Sequence, residues 1–275
     1  MTKAMVTGSS GFIGRRLVQQ LTEMDLSVSL IDDEYFLTDD WRTALHCSLN
    51  AENPEVVFHV GACSNTLESD VQYMMTRNYE STKVIMDWCA SNNRKLIYSS
   101  SAANYGDNGQ YPSNLYGWSK YAAEDYVIKS GGIALRYFNV YGPGEQDKGR
   151  MASFLFQAFV KSLNHEPIEI FPGKPQRDFV YINDIISANL FAYKNYEEQR
   201  GRYYEVSTGI ASTFEEKLEI FGLTHDYTDG DKIPNGYQFY TCGNPDKWLK
   251  GWNPQFPLKK GVLDYQLFLE KSFSK

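Results

Sequence analysis

Apolar positions follow two different periods along the first two-thirds of the chain. Short apolar runs at Lys3–Thr7, Ser27–Ile31, Val56–Val60, Leu96–Ser99 and Ile133–Asn139 read as buried strands. Between them apolar residues recur at helical spacing, at Ile13, Leu17 and Leu21 and later at Met75, Tyr79 and Met86. Strand alternating with helix over this length predicts an α/β protein with a doubly wound parallel sheet, covered by helices on both faces. After Tyr141 the pattern breaks, with Gly142-Pro143-Gly144 and Pro172-Gly173 as interruptions. The chain there is expected to leave the sheet for a smaller C-terminal lobe and to return at Phe179–Ile182 and Tyr204–Ser207. The expected division is residues 1–142 with return segments at about 178–210, against a lobe of 143–177 and 211–275.

Composition narrows the partners. A formal charge of −7 over 275 residues argues against nucleic acid or an anionic membrane surface. An anionic ligand then needs its own basic pocket. Cys47, Cys63, Cys89 and Cys242 are widely spaced and form no CxxC pair, so reduced thiols are expected and no metal site. The chain enters its first strand at once and has no apolar run of membrane-spanning length, so a soluble cytoplasmic protein is expected.

The segment Thr7-Gly8-Ser9-Ser10-Gly11-Phe12-Ile13-Gly14 follows the first strand and opens a helix. Glycines there permit a sharp turn and close backbone approach to a pyrophosphate, while the helix N-terminus supplies N–H groups and positive dipole. Gly8, Gly11, Phe12, Ile13 and Gly14 are therefore candidates for a dinucleotide site in a Rossmann-type sheet. Asp32 closes the second strand, where a carboxylate accepts from an adenosine ribose. The run Asp32-Asp33-Glu34 disfavours a 2′-phosphate and points to NAD; Arg15, just after the loop, points toward NADP.

Tyr116-Gly117-Trp118-Ser119-Lys120 places a tyrosine and a lysine one helical turn apart on one face. A nearby ammonium favours the phenolate, and Tyr116 then exchanges a hydroxyl proton near neutral pH. Ser99-Ser100-Ser101 ends the fourth strand, on the side of a doubly wound sheet where ligands bind.

These features together resemble the extended short-chain dehydrogenase/reductase family, which includes the nucleotide-sugar epimerases and dehydratases. The resemblance implies that Ser101 assists Tyr116, and that Asp40-Trp41 is the adenine-contacting pair. It also implies that His59-Val60-Gly61-Ala62, with Cys63, turns beside the cofactor, and that Asn78 braces the central strands. Leu135-Arg136-Tyr137-Phe138-Asn139-Val140-Tyr141-Gly142-Pro143 and Arg177-Asp178-Phe179-Val180-Tyr181 continue it, with Val140 implied at the cofactor and Asn139 at the substrate. Ala102-Ala103 stands where the family's dehydratases carry an Asp-Glu pair, and two methyl groups transfer no protons, so dehydration is disfavoured.

Gly61-Ala62-Cys63-Ser64, Tyr73-Met74-Met75 and Lys148-Gly149-Arg150-Met151-Ala152-Ser153 are similar to the ADP-L-glycero-D-manno-heptose 6-epimerases. That likeness implies inversion of a sugar carbon through a keto intermediate, with Tyr116 and Lys148 as the two proton-transfer groups and Lys120 holding the nicotinamide ribose. It implies Phe171, Arg177 and Tyr237 as further substrate contacts, and Arg150, close to Lys148, is a candidate beside them; a guanidinium fork such as Arg177 suits a diphosphate. On residue type alone, Lys148 in a glycine-rich stretch reads first as a solvated loop lysine. The chain departs from that pattern by being shorter between strand two and His59 and at the C-terminal end, and by Arg150 in place of a serine. A UDP-hexose 4-epimerase, a dehydratase or reductase of the same family, and a non-catalytic NAD-binding module remain the alternatives. The helices near Met75–Cys89 and Tyr116–Ile128 are the usual pairing surface of this fold, so a homo-oligomer is expected.

Overall fold

The computed structural model describes residues 2–61, 63–107, 109–233 and 237–274. Its main sheet has six strands in the order β2-β1-β3-β4-β5-β9. These are β1 (Lys3–Thr7), β2 (Ser27–Ile31), β3 (Val56–His59), β4 (Lys95–Ser101), β5 (Ile133–Tyr137) and β9 (Arg202–Val206). The pairs β1·β2, β1·β3 and β3·β4 are parallel, with Thr7 opposite Ile31 on one side and His59 on the other. Every residue of β3 is buried, as a strand covered on both faces requires. Helices α1 (Phe12–Glu23), α2 (Trp41–Glu52), α3 (Val71–Met75), α4 (Ser81–Ser91) and α5 (Leu115–Lys129) connect these strands. Their apolar faces meet the sheet in a core that includes Leu45, Leu49, Val57, Ile85, Trp88, Leu96 and Val127.

Chain order reverses direction at β1, which has β2 on one side and β3 on the other. That reversal is where doubly wound sheets open a ligand crevice beyond the carboxyl ends of their strands. Such sheets commonly carry another strand outside the second. Here β2 is the last strand, and the chain passes from it through a short 3-10 turn at Asp33–Leu37 into α2. At this sheet edge Leu30 of β2 is 56% exposed.

Two compact units divide the chain. The first comprises residues 1–136, 186–204 and 249–252; the second comprises 137–185, 205–248 and 253–275. Residues 137–142, 178–185 and 205–210, expected with the dinucleotide-binding part, therefore fall in the second unit. Within that unit β8 (Gln176–Tyr181) is central. It pairs with β6 (Asn139–Tyr141) and β12 (Tyr240–Thr241) in parallel and with β10 (Ala211–Thr213) antiparallel. The return at Phe179–Ile182 thus goes to this separate sheet, because three strands compete for β8 and the main sheet holds none of its pairings. The return at Tyr204–Ser207 does reach the main sheet, as β9. The long fifth run splits at Phe138, whose N–H donates to the Val206 carbonyl at 3.2 Å.

The second unit is completed by β7 (Glu169–Ile170), β11 (Asp226–Tyr227), α6 (Phe154–Leu163), α9 (Phe214–Phe221) and α10 (Leu258–Phe273). The helix α7 (Ile182–Lys194) and the short α8 (Tyr196–Gln199) precede β9. Among the described residues, no helix is long and apolar enough to cross a membrane.

Candidate active site

The glycine loop is built for close approach of backbone to backbone. Gly8 is left-handed at φ +64°, and a Cβ there would lie 2.5 Å from the Cα of Gly61. A Cβ on Gly14 would come within 2.0 Å of the Gly8 carbonyl. The turns after β1 and β3 thus press together at the reversal, joined also by the Gly61 N–H on the Thr7 carbonyl at 2.9 Å. Helix α1 starts at Gly11 with no side-chain cap and no acidic residue in its first turn. Phe12 is buried and Ile13 half-buried behind that end.

The acidic run is not three equivalent carboxylates. Asp32 accepts from the Ser9 hydroxyl at 3.0 Å and the Ser10 N–H at 3.1 Å, so it ties β2 to the glycine loop. Asp33 pairs with Arg77, whose guanidinium also lies over the rings of Phe36 and Tyr73. Asp40 caps α2 by accepting from the Thr43 N–H at 3.4 Å, and Trp41 is packed into the core beside Phe36. Ala62 lies outside the described residues.

A buried polar chain runs beneath this loop. Thr7 Oγ1 bonds His59 Nδ1 at 2.6 Å, and His59 Nε2 bonds Thr82 Oγ1 at 2.8 Å. Burial, with the charge of Lys120, pushes His59 down to about 3, so the ring is neutral. Residues Thr76–Glu80 form a π turn between α3 and α4, the kind of bulge that re-aims side chains at functional sites. It carries Asn78, whose side chain accepts from the Cys63 N–H at 2.7 Å and donates to the Cys63 carbonyl and to Ser119 Oγ at 2.9 Å. Ser119 in turn donates to the Tyr116 carbonyl at 2.7 Å. Asn78 therefore braces the segment after β3 against α5.

Helix α5 begins at Asn114, whose side chain accepts from the Gly117 N–H at 2.8 Å. This start sets Tyr116 and Lys120 one turn apart. Burial pushes the Tyr116 phenol up, and its hydrogen bond with Ser101 pulls it back down. The expectation that Lys120 lowers the phenol is corrected: that part falls to Ser101. Lys120 itself is pushed down to about 7 by burial, against the opposing pull of Glu124 and Cys63. Its Nζ sits 4.5 Å from the centre of the Tyr98 ring. The Glu124 carboxylate is occupied by Arg136, Ser100 and Asn104.

The second unit carries the other candidates. Asn139 Nδ2 donates to the Asp178 carbonyl at 3.1 Å, and Val140 pairs with Val180 in the same register. Arg177 donates to the Gln176 carbonyl at 2.9 Å and to the Gln238 carbonyl, and it lies over the Tyr237 ring. Phe171 meets Tyr237 edge-on at 4.9 Å, and Tyr237 meets Phe239 edge-on at 5.3 Å. Phe171, Tyr237 and Arg177 are thus one aromatic–cationic cluster. Lys148 and Arg150 lie on a loop before α6, Lys148 half-buried and Arg150 exposed. Burial pushes Lys148 down, and Glu145 pulls it back up.

A family model described as the NAD dependent epimerase/dehydratase family matches residues 4–207. The chain belongs to that family. It is 34% identical to the ADP-L-glycero-D-manno-heptose-6-epimerase of Brachyspira hyodysenteriae, over 98% of both chains. That alignment spans 313 positions, more than the 275 residues here, so the relative has segments this chain lacks. In fold it is similar to a UDP-glucose 4-epimerase from Thermotoga maritima, at TM-score 0.85 and 23% identity over 98% of this chain and 99% of that one. A Helicobacter pylori ADP-L-glycero-D-manno-heptose-6-epimerase gives TM-score 0.84 at 24% identity over 98% and 96%.

The uncapped α1 terminus and the glycine cradle fit the NAD that the family uses. A pyrophosphate accepts N–H groups at such an end, and the first turn of α1 carries no acidic residue. Polar residues of this site that were not singled out from sequence include Thr7, Ser9 and Ser119. The first two flank Gly8, and a hydroxyl beside a turn glycine is their signal; Ser119 shows only once α5 and the π turn are set side by side.

Proposed function

We propose that this protein is a nucleotide-sugar epimerase that inverts a sugar carbon through a transient keto sugar, with C6 of an ADP-glycero-manno-heptose as the carbon inverted. The observation that carries the sugar assignment is the 34% identity over 98% of the heptose epimerase chain. The two fold neighbours act on different sugars at almost equal similarity, so the fold alone does not choose between them.

When bound, NAD supplies reversible hydride acceptance. Tyr116 removes and returns the proton of the reacting hydroxyl, and the Ser101 hydroxyl bonded to it stabilises the phenolate form. Lys148 serves the opposite configuration, because inversion needs a proton acceptor for each. Lys120 holds the nicotinamide ribose. Asn139, Arg150, Phe171, Arg177 and Tyr237 contact the substrate. Arg177 has two N–H groups committed to backbone carbonyls, which fixes the guanidinium, and a fixed guanidinium suits the oxygens of a diphosphate. Gly8, Gly11, Gly14, Asp32 and Gly61 hold the dinucleotide, and Asp32 favours a free 2′-hydroxyl, hence NAD over NADP. Ala102 and Ala103, in the 3-10 turn after β4, offer no acid or base for water loss. A cytoplasmic homo-oligomer completes the reading.

The test is incubation of the NAD-loaded protein with ADP-D-glycero-D-manno-heptose, following inversion at C6 by NMR. Inversion that falls about 100-fold or more in Lys148→Ala supports the assignment. No inversion of the heptose, with turnover of UDP-glucose that survives Lys148→Ala, replaces it with 4-epimerisation.

A further inference from the structure

The Gly142–Ser153 loop is fastened by a carboxylate that no proton-transfer role requires. Glu145 is fully buried, and no lysine or arginine pairs with it among the ion pairs of the described residues. Its Oε1 accepts the Gly142 N–H at 3.2 Å and the Ser153 hydroxyl at 2.8 Å, and its Oε2 accepts the Ser153 N–H at 2.5 Å. Tyr265 of α10 adds a further hydrogen bond. Desolvating a carboxylate is costly unless several donors satisfy it, and here the donors come from both ends of one loop. Ser153 is also the N-cap of α6, accepting from the Phe156 N–H at 3.3 Å, so the loop's far end is anchored to a helix.

Between those ends the chain forms a 3-10 turn over Glu145–Met151, broken at Gly149, and the Ala152 N–H closes it on the Gly149 carbonyl at 3.1 Å. Gly144 and Gly149 are both left-handed, at φ +103° and +53°, and a Cβ on Gly149 would meet nothing within 4 Å. Gln157 reaches back from α6 to the Ala152 carbonyl at 2.8 Å and the Arg150 carbonyl at 3.3 Å. Lys148 sits in the middle of this arc.

We propose that Glu145 is a positioning residue for Lys148: its carboxylate bolts the two ends of the loop together and sets the lysine against one fixed negative charge. The proposal rests on the reading of Lys148 as the second proton-transfer group. The charged and titratable groups around the clamp are Asp147, Lys148 and Arg150 on the loop itself, Tyr265 and Asp264 on α10, Tyr141 on β6, Tyr181 on β8 and Asp184 on α7. Burial pushes Tyr141 and Tyr265 far above their ordinary range, so they stay neutral, and the buried Glu145 carboxylate opposes the burial of Lys148.

Two substitutions separate the clamp from the charge. Glu145→Gln removes the charge and replaces one accepting oxygen with an NH2 group that cannot take the Ser153 N–H. Glu145→Asp keeps the charge but shortens the reach to the two loop ends. The Lys148 ammonium is followed by NMR titration, and the epimerisation pH profile by the limb that Lys148→Ala abolishes. In Glu145→Gln the Lys148 titration and that limb move to lower pH, and kcat falls about tenfold or more with KM nearly unchanged. In Glu145→Asp the titration stays near its original position while kcat still falls. Should Glu145→Gln fail to fold, Ser153→Ala, which removes one donor and leaves the charge, gives the same fall in kcat in milder form. An unmoved Lys148 titration and unchanged kcat in Glu145→Gln overturn the proposal. If Lys148→Ala is fully active, the reading of Lys148 fails instead, and the ammonium titration in Glu145→Gln still reports whether the clamp positions it.

Discussion

Burial pushes both Lys120 and Lys148 down, yet the two regions that hold them do so by different means. Lys120 lies inside a fifteen-residue helix, over an aromatic ring, beside a neutral histidine. The carboxylate one turn away is already held by Arg136. Its environment is set by many residues of β3, β4 and α5 at once. Lys148 sits on an arc of backbone whose ends meet at one carboxylate. A site on regular elements spreads its control over a network, whereas a site on a loop concentrates it in a clamp. Single substitutions near Lys120 should therefore act weakly, unless they remove a reacting group, and a single substitution at the clamp should act strongly.

The largest expected effect is the removal of a reacting group in the network region. Tyr116→Phe deletes the phenol that Ser101 bonds and leaves the ring, the helix cap at Asn114 and the Asn78 brace in place. Turnover by NMR should fall by about 10²–10⁴-fold, the range for a positioned acid–base group, with bound NAD unchanged by mass spectrometry. A fall below tenfold would show that the proton has another route, and the contrast between network and loop would lose its basis. Ser101→Ala should cost less, since burial already dominates the phenol and the serine only opposes it.

A smaller effect is expected where the backbone itself carries the function. In Gly14→Ala the new methyl would lie 2.0 Å from the Gly8 carbonyl oxygen and 2.8 Å from its carbon, both backbone atoms that cannot swing aside. The loop must shift, at a cost of about 1–3 kcal/mol for overpacking. NAD should be lost during purification, while unfolding by urea still shows a cooperative transition. Retained NAD would mean that the α1 terminus binds without the close packing of Gly8 on Gly61.

That glycine loop was the most legible part of the sequence. The period of the apolar runs located five strands, and the glycine spacing located the turn at the sheet's reversal, because both are local signals. Ser101, Tyr116 and Asn78 were legible by motif, and the structure joins them within one unit. Asp40 and Trp41 also carry structural contacts that the motif does not reveal: the aspartate caps a helix and the tryptophan packs in the core. The second unit was less legible. Strand β8 was assigned to the main sheet because its apolar run looks like any buried strand, and only the pairing with β6, β10 and β12 shows otherwise. Glu145 went unnoticed for a related reason. A carboxylate in a glycine-rich stretch reads as solvated until both ends of the loop are seen donating to it.

The smallest expected effect sharpens the comparison through stability. Lys120 in the first unit and Lys217 in the second are both buried, and burial pushes each down to about 7 from 10.5. Lys217 donates to the Ser212 and Thr213 carbonyls at 2.6 and 2.9 Å and lies over Phe179. Between about 7 and 10.5 the folded lysine is neutral and the unfolded one is charged, so the unfolded state binds more protons. Stability then rises with pH above about 7, by at most about 1.4 kcal/mol per pH unit for each lysine, and below that pH the burial cost is felt in full. Urea midpoints of NAD-free protein between pH 7 and pH 8 should rise for the parent chain. The rise should shrink in Lys120→Met and in Lys217→Met, each by its own share. If unfolding shows two transitions, each substitution should flatten the pH response of its own unit alone. A response left intact by Lys120→Met would mean that the lysine stays charged in the folded protein, held by a carboxylate after all, and the distinction between the network lysine and the clamped one would vanish.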